Sequence, residues 1–137
     1  MTADELARGY FSRARKRRKA LGVLLDEAAF ADVVREAQEL VELVLKGMLR
    51  ATGIDPPKWH DVGGLLVENA QRFPETVRGS LDDLAATSAA LRKERELAFY
   101  GDIDFIPDER YDRVAAEDYV ARVDRVLDAL TRFESTL

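Results

Sequence analysis

From about Glu27 to Ala51 the apolar residues advance in steps of three and one: Phe30, Val33, Val34, Ala37, Leu40, Val41, Val44, Leu45, Met48 and Leu49. That period puts a wide apolar stripe on a helix. Thr52-Gly53 supplies its stop, and Asp55-Pro56-Pro57 keeps the chain from continuing helically. The same period recurs on either side. Thr2 and Glu5 form a capping-box pattern ahead of a first helix carrying Leu6, Tyr10, Ala14 and Leu21, which Gly22 bends or ends. Asp61 is placed to cap a shorter third helix with Leu65, Leu66 and Ala70, closed before Pro74. A fourth helix is predicted from about Gly79 to Phe99, ending at Gly101. A fifth, from about Val114 to Phe133, places Val120, Val123, Val126, Leu127 and Leu130 on one face.

No segment alternates with period two for long enough to be a strand. The expectation is an all-α protein: an up-and-down bundle of about five helices, forming a single domain over residues 1–137. One connection is longer than the rest. Gly101 to Asp112 is rich in Asp and carries Ile103, Phe105, Ile106 and Tyr111, a kind of loop in which function is often found.

Composition narrows the class. With 47% apolar and 34% charged residues the chain reads as soluble and globular. It has no cysteine, which excludes a disulfide framework and a thiolate metal site. The start has no basic-then-apolar signal pattern, and no apolar run approaches the ~20 residues of a membrane span. The expectation is a cytoplasmic protein without a membrane partner. The net charge is −5, yet RARKRRK, Arg13 to Lys19, carries six cations and no acid. Setting that run aside leaves 15 basic against 26 acidic residues, a remainder of −11. Such a run suits a phosphate or an acidic partner, or a solvated helix face.

Candidate chemistry is sparse. His60 is the only histidine, with no Glu-x-x-His pair or spaced acidic cluster beside it, so no metal or cofactor is expected. Gly63-Gly64 lacks the frame of a phosphate-binding loop, and no catalytic triad can be assembled. Arg95 follows Leu91 by four residues, Ser88 by seven and Leu84 by eleven, so it belongs to the face of its helix that should be buried. An arginine there calls for a carboxylate such as Asp102, a phosphate or a subunit boundary. Tyr100 closes the helix ahead of Gly101, which suits a left-handed cap. His60 stands at the start of the third helix beside Asp61. Glu42 and Lys46 form an i,i+4 pair of favourable orientation on the second helix.

Three segments together resemble a known family. VVREAQELVELVLKGMLRATGI (Val33 to Ile54), DPPKWHDVGGLL (Asp55 to Leu66) and RKERELAFYGD (Arg92 to Asp102) follow in the order found in the HEPN domains, small prokaryotic all-α proteins. The similarity covers about Phe11 to Leu130, and its most specific parts lie around Glu42–Lys46, Pro56–Asp61 and Arg95–Asp102. The resemblance implies a helical bundle that pairs as a homodimer, with an R-x(4–6)-H motif at the end of the fourth helix facing its twin. Many members are metal-independent endoribonucleases, often toxins encoded beside a minimal nucleotidyltransferase that neutralises them. Others bind nucleotides or RNA.

Arg95 matches the arginine of that motif, and Tyr100 stands where the family has histidine. A histidine with pKa near 6.5 exchanges protons at neutral pH; a tyrosine near 10 does so poorly, although it still donates a hydrogen bond or stacks on a base. The resemblance implies Arg95 and Tyr100 as catalytic candidates; His60 is a further candidate should it reach the groove near Arg95, and the binding candidates are Arg92, Arg95, Tyr100, Asp102 and Lys58. The expected function is a dimeric RNA- or nucleotide-binding module paired with a nucleotidyltransferase. The alternative is a metal-independent endoribonuclease toxin using Arg95 with Tyr100 or His60.

Overall fold

The stripe that announces the second helix also makes it the centre of the molecule. In the computed structural model, residues 2–58, 62–99 and 110–137 are described, the side chains of residues 3 and 95–99 excepted. The helices are α1 (Ala3–Asp26), α2 (Phe30–Ala51), α3 (Val62–Glu68), α4 (Glu75–Arg78), α5 (Leu81–Phe99) and α6 (Arg113–Glu134), with a 3-10 turn at Ala70–Arg72. No strand occurs among the described residues, so the chain is all-α as expected. Helix α2 packs on α1, α5, α6 and α3. Twelve of its 22 residues are buried, among them Val33, Val34, Leu40, Val41, Val44, Leu45, Met48 and Leu49. Each large aliphatic side chain fully buried in this way contributes about 1.5–3 kcal/mol.

Helix boundaries follow local chemistry. Helix α1 opens on a complete capping box: the Glu5 amide donates to Thr2 Oγ1 at 3.1 Å and the Thr2 amide donates to Glu5 Oε2 at 2.7 Å. It does not end at Gly22 but runs on to Asp26, since the flanking apolar residues continue its packing stripe and outweigh the ~1 kcal/mol propensity cost of a helical glycine. Its closing turn leaves Ala28 left-handed at φ 57, so α2 begins at Phe30 rather than at about Glu27. At the far end of α2 the Ile54 amide reaches Leu49 O and the Gly53 amide reaches Arg50 O, a Schellman closure with Gly53 at φ 85. The predicted third helix is broken after Glu68, where the Asn69 side chain donates to Leu65 O at 2.8 Å; a 3-10 turn and the short α4 follow. The predicted fourth and fifth helices are α5 and α6, beginning at Leu81 and Arg113 instead of about Gly79 and Val114. The predicted caps at Asp61 and Gly101 lie outside the described residues.

Close approaches set the packing. A Cβ on Gly47 would lie 2.5 Å from Phe11 Cε1, and one on Gly63 would lie 2.8 Å from Ala85 Cα. Glycine at these two positions lets α1 press on α2 and α3 press on α5. Near Gly47, Phe11 meets Phe133 edge-on at 6.3 Å and Phe133 meets Phe73 at 5.9 Å, closing that end of the bundle. The opposite end holds the candidate site.

Candidate functional site

Three contacts fix how α2, α5 and α6 meet. Arg92 Nε on α5 lies 3.6 Å from Glu42 Oε1 on α2. Tyr111, just ahead of α6, places its hydroxyl 2.5 Å from Glu94 Oε2. The Arg113 guanidinium lies 5.1 Å from the centre of the Phe30 ring, at the first residue of α2. Helix α5 is therefore antiparallel to α2 and to α6. Its last turns, the N-terminal half of α2 and the start of α6 gather at one end of the molecule.

Arg95 belongs to that end. Its backbone is part of α5, in the register of Leu84, Ser88 and Leu91, and all three of these are buried. The sequence-derived face is thus the packed face as far as Leu91; the side chain of Arg95 lies outside the described residues. Stepping one turn back along α2 from Glu42 and one turn forward along α5 from Arg92 puts Gln38 across the seam from positions 95 and 96.

The expected Glu42–Lys46 pair is present at 4.0 Å. It belongs to a larger group, since the same carboxylate also faces Arg92. Arg92, a binding candidate, is half-buried and linked to α2 in this way. Glu94, adjacent to Arg95, accepts from the Tyr111 hydroxyl and lies 3.5 Å from Arg110 Nη2. Burial first, and then the hydrogen bond to Glu94, push the Tyr111 pKa far above its ordinary value. Burial also raises Tyr119 on α6, with the charge of Glu94 as the next cause. Lys58 is exposed in the segment after α2. Tyr100, Asp102 and His60 lie outside the described residues.

Three participants escaped the sequence reading. Gln38 is 1% exposed, and neither its amide nitrogen nor its carbonyl oxygen has a hydrogen-bond partner among the described residues. Its signal was visible as a lone polar residue inside an apolar stripe, between Val34 and Val41. Glu94 and Tyr111 form a contact between two elements, which periodicity within one element cannot foresee. The basic run Arg13–Lys19 proves divided: Arg15 pairs with Glu134, Arg17 with Glu36 at 2.8 Å, and Arg18 with Asp124 at 2.7 Å.

The described groups can fix an arginine-bearing helix end and surround it with charge. No helix among the described residues is long and apolar enough to cross a membrane. The model of the HEPN domain family matches residues 7–133. No curated protein and no solved structure matches the chain. A match over nearly the whole length is decisive for the family: the chain belongs to the HEPN domains.

Proposed function

We propose that this HEPN domain is a dimeric module that binds RNA or a nucleotide and works as one half of a pair with a minimal nucleotidyltransferase in the cytoplasm. Arg95 is the phosphate-binding residue, and Tyr100 contributes contact in the place where the family motif carries histidine. The observation that carries this reading is the buried register Leu84–Ser88–Leu91 leading to Arg95 at the end where α2, α5 and α6 converge. A guanidinium continuing a packed face is a strong bidentate phosphate donor, and a second subunit gives it the company it needs. Arg92, Asp102 and Lys58 complete the proposed binding set.

The endoribonuclease alternative keeps the same arginine and assigns the proton transfer to Tyr100 or His60. The tyrosine at position 100 favours binding, because its ordinary pKa lies about three units above neutrality.

Fluorescence anisotropy with a labelled single-stranded RNA tests the reading. Wild type is expected to bind, and Arg95→Ala to lose at least about tenfold in affinity, the scale of a charged hydrogen bond. Light scattering in the same buffer should report a dimer. Equal binding by Arg95→Ala, with only a lower melting temperature, makes the arginine structural and overturns the proposal.

A further inference from the structure

Helix α1 carries no acid from Leu6 to Leu25, a stretch about 30 Å long at 1.5 Å per residue, in a protein of net charge −5. Its cations divide by direction. Arg15 and Arg18 are held by Glu134 and Asp124 of α6, and Arg17 by Glu36 of α2. Arg8, Arg13, Lys16 and Lys19 point the other way: all four are exposed, and none has a carboxylate partner among the described residues. Two shallow grooves share Lys16 as a wall. One, of about 680 Å³, runs between Arg13, Lys16 and the Arg17–Glu36 pair over Ala20, exposed Val23 and Leu24. The other, of about 320 Å³, is lined by Arg8, Ser12, Arg15, Lys16 and Lys19, with Glu134 of α6 closing one side.

We infer that the outer face of α1 is a track for the backbone of a single-stranded nucleic acid, separate from the α5 end. The inference rests on the proposed RNA-binding function and decides between its two ligands. Arg8 and Lys19 are eleven residues apart, about 16 Å along the helix, farther than one nucleotide's phosphate can serve. A polymer uses all four cations at once. The apolar strip at Ala20 and Val23 gives unstacked bases a surface beside the phosphates. Cationic grooves that follow a strand in this way bind with strong salt dependence and little sequence preference.

Cations held in ion pairs away from both grooves supply the control: Arg18 with Asp124, Arg50 with Asp55 and Arg125 with Asp83. Arg13→Gln/Lys16→Gln/Lys19→Gln and Arg18→Gln/Arg50→Gln/Arg125→Gln remove the same charge, the first from the open face and the second from those ion pairs. With fluorescein-labelled oligouridylate, the slope of log affinity against log salt should fall by about 2 in the first variant, at ~0.7 per lost phosphate contact. It should stay near the wild-type slope in the second, which instead melts lower. If the second does not fold, the single changes Lys16→Gln and Arg18→Gln make the same comparison, about 0.7 against none. Equal falls in both sets would reduce the effect to net charge, and an unchanged slope in the first would put the contact elsewhere; either overturns the track while leaving the Arg95 site standing. Polyglutamate bound in place of oligouridylate, and lost in the first variant, would assign the face to an acidic protein. Absence of any oligouridylate binding by wild type at low salt removes both the track and the function it rests on.

Discussion

The Tyr111 hydroxyl donates to Glu94 Oε2 across 2.5 Å, tying the start of α6 to the last turns of α5 one residue before Arg95. Tyr111 is only 4% exposed, and the Glu94 side chain 15%, so this is a hydrogen bond to a carboxylate largely out of water. Bonds of that kind are worth about 1.5–3 kcal/mol. Tyr111→Phe should cost that amount in urea unfolding at neutral pH. The folded protein raises the tyrosine pKa, so below the unfolded value near 10 the advantage over phenylalanine is complete. As pH climbs above 10 the unfolded chain releases the proton while the folded one keeps it, and the advantage shrinks. A difference between the two proteins that grows above pH 10 would contradict the assignment.

Gln38 predicts the opposite sign. Its amide is buried without a partner on either end among the described residues, an arrangement that costs about 1–3 kcal/mol. Gln38→Leu keeps much of the volume and removes the polar atoms. Its urea midpoint should rise, by the equivalent of about 1 kcal/mol or more. A drop of similar size would show that the amide is satisfied in solution.

At Gly63 the account predicts a steric loss rather than a lost ligand. The glycine pair after Asp61 is not a phosphate loop, and a methyl on Gly63 would press 2.8 Å from the Ala85 backbone. Gly63→Ala should lower stability by about 1–3 kcal/mol, the usual cost of overpacking, against the smaller gain in helix propensity. Calorimetry that finds Gly63→Ala at or above the wild-type melting temperature would mean that α3 and α5 are farther apart than described.

The helices were legible because each carries its own period. The α2 stripe, the capping box at Thr2 and the stop at Gly53 are local signals, and local chemistry is enough to set them. Gly22 misled because a glycine inside a long amphipathic helix costs less than the burial of its neighbours returns. Around the site, Glu42 was read with Lys46 alone, since both lie on one helix. Its contact with Arg92 depends on the register between α2 and α5, which no single-helix pattern contains. The same holds for Glu94 with Tyr111, seventeen residues apart in sequence. For RARKRRK, sequence gave the amount of charge and packing decided which cations stay open. The register read for Arg95 is the packed one as far as Leu91, and the Arg95 side chain itself lies outside the described residues.

The central claim is that the arginine end of α5 keeps nucleic-acid contact while the tyrosine at position 100 has lost the proton chemistry. The most direct measurement is the rate at which purified protein cleaves a labelled oligoribonucleotide in the presence of a chelator, for wild type and Tyr100→His. Wild type should bind the RNA and leave it intact, and Tyr100→His, which restores a group titrating near neutrality, should introduce cleavage that needs Arg95. Cleavage by wild type that Tyr100→Phe or His60→Ala abolishes would contradict the account and make the protein a metal-independent endoribonuclease.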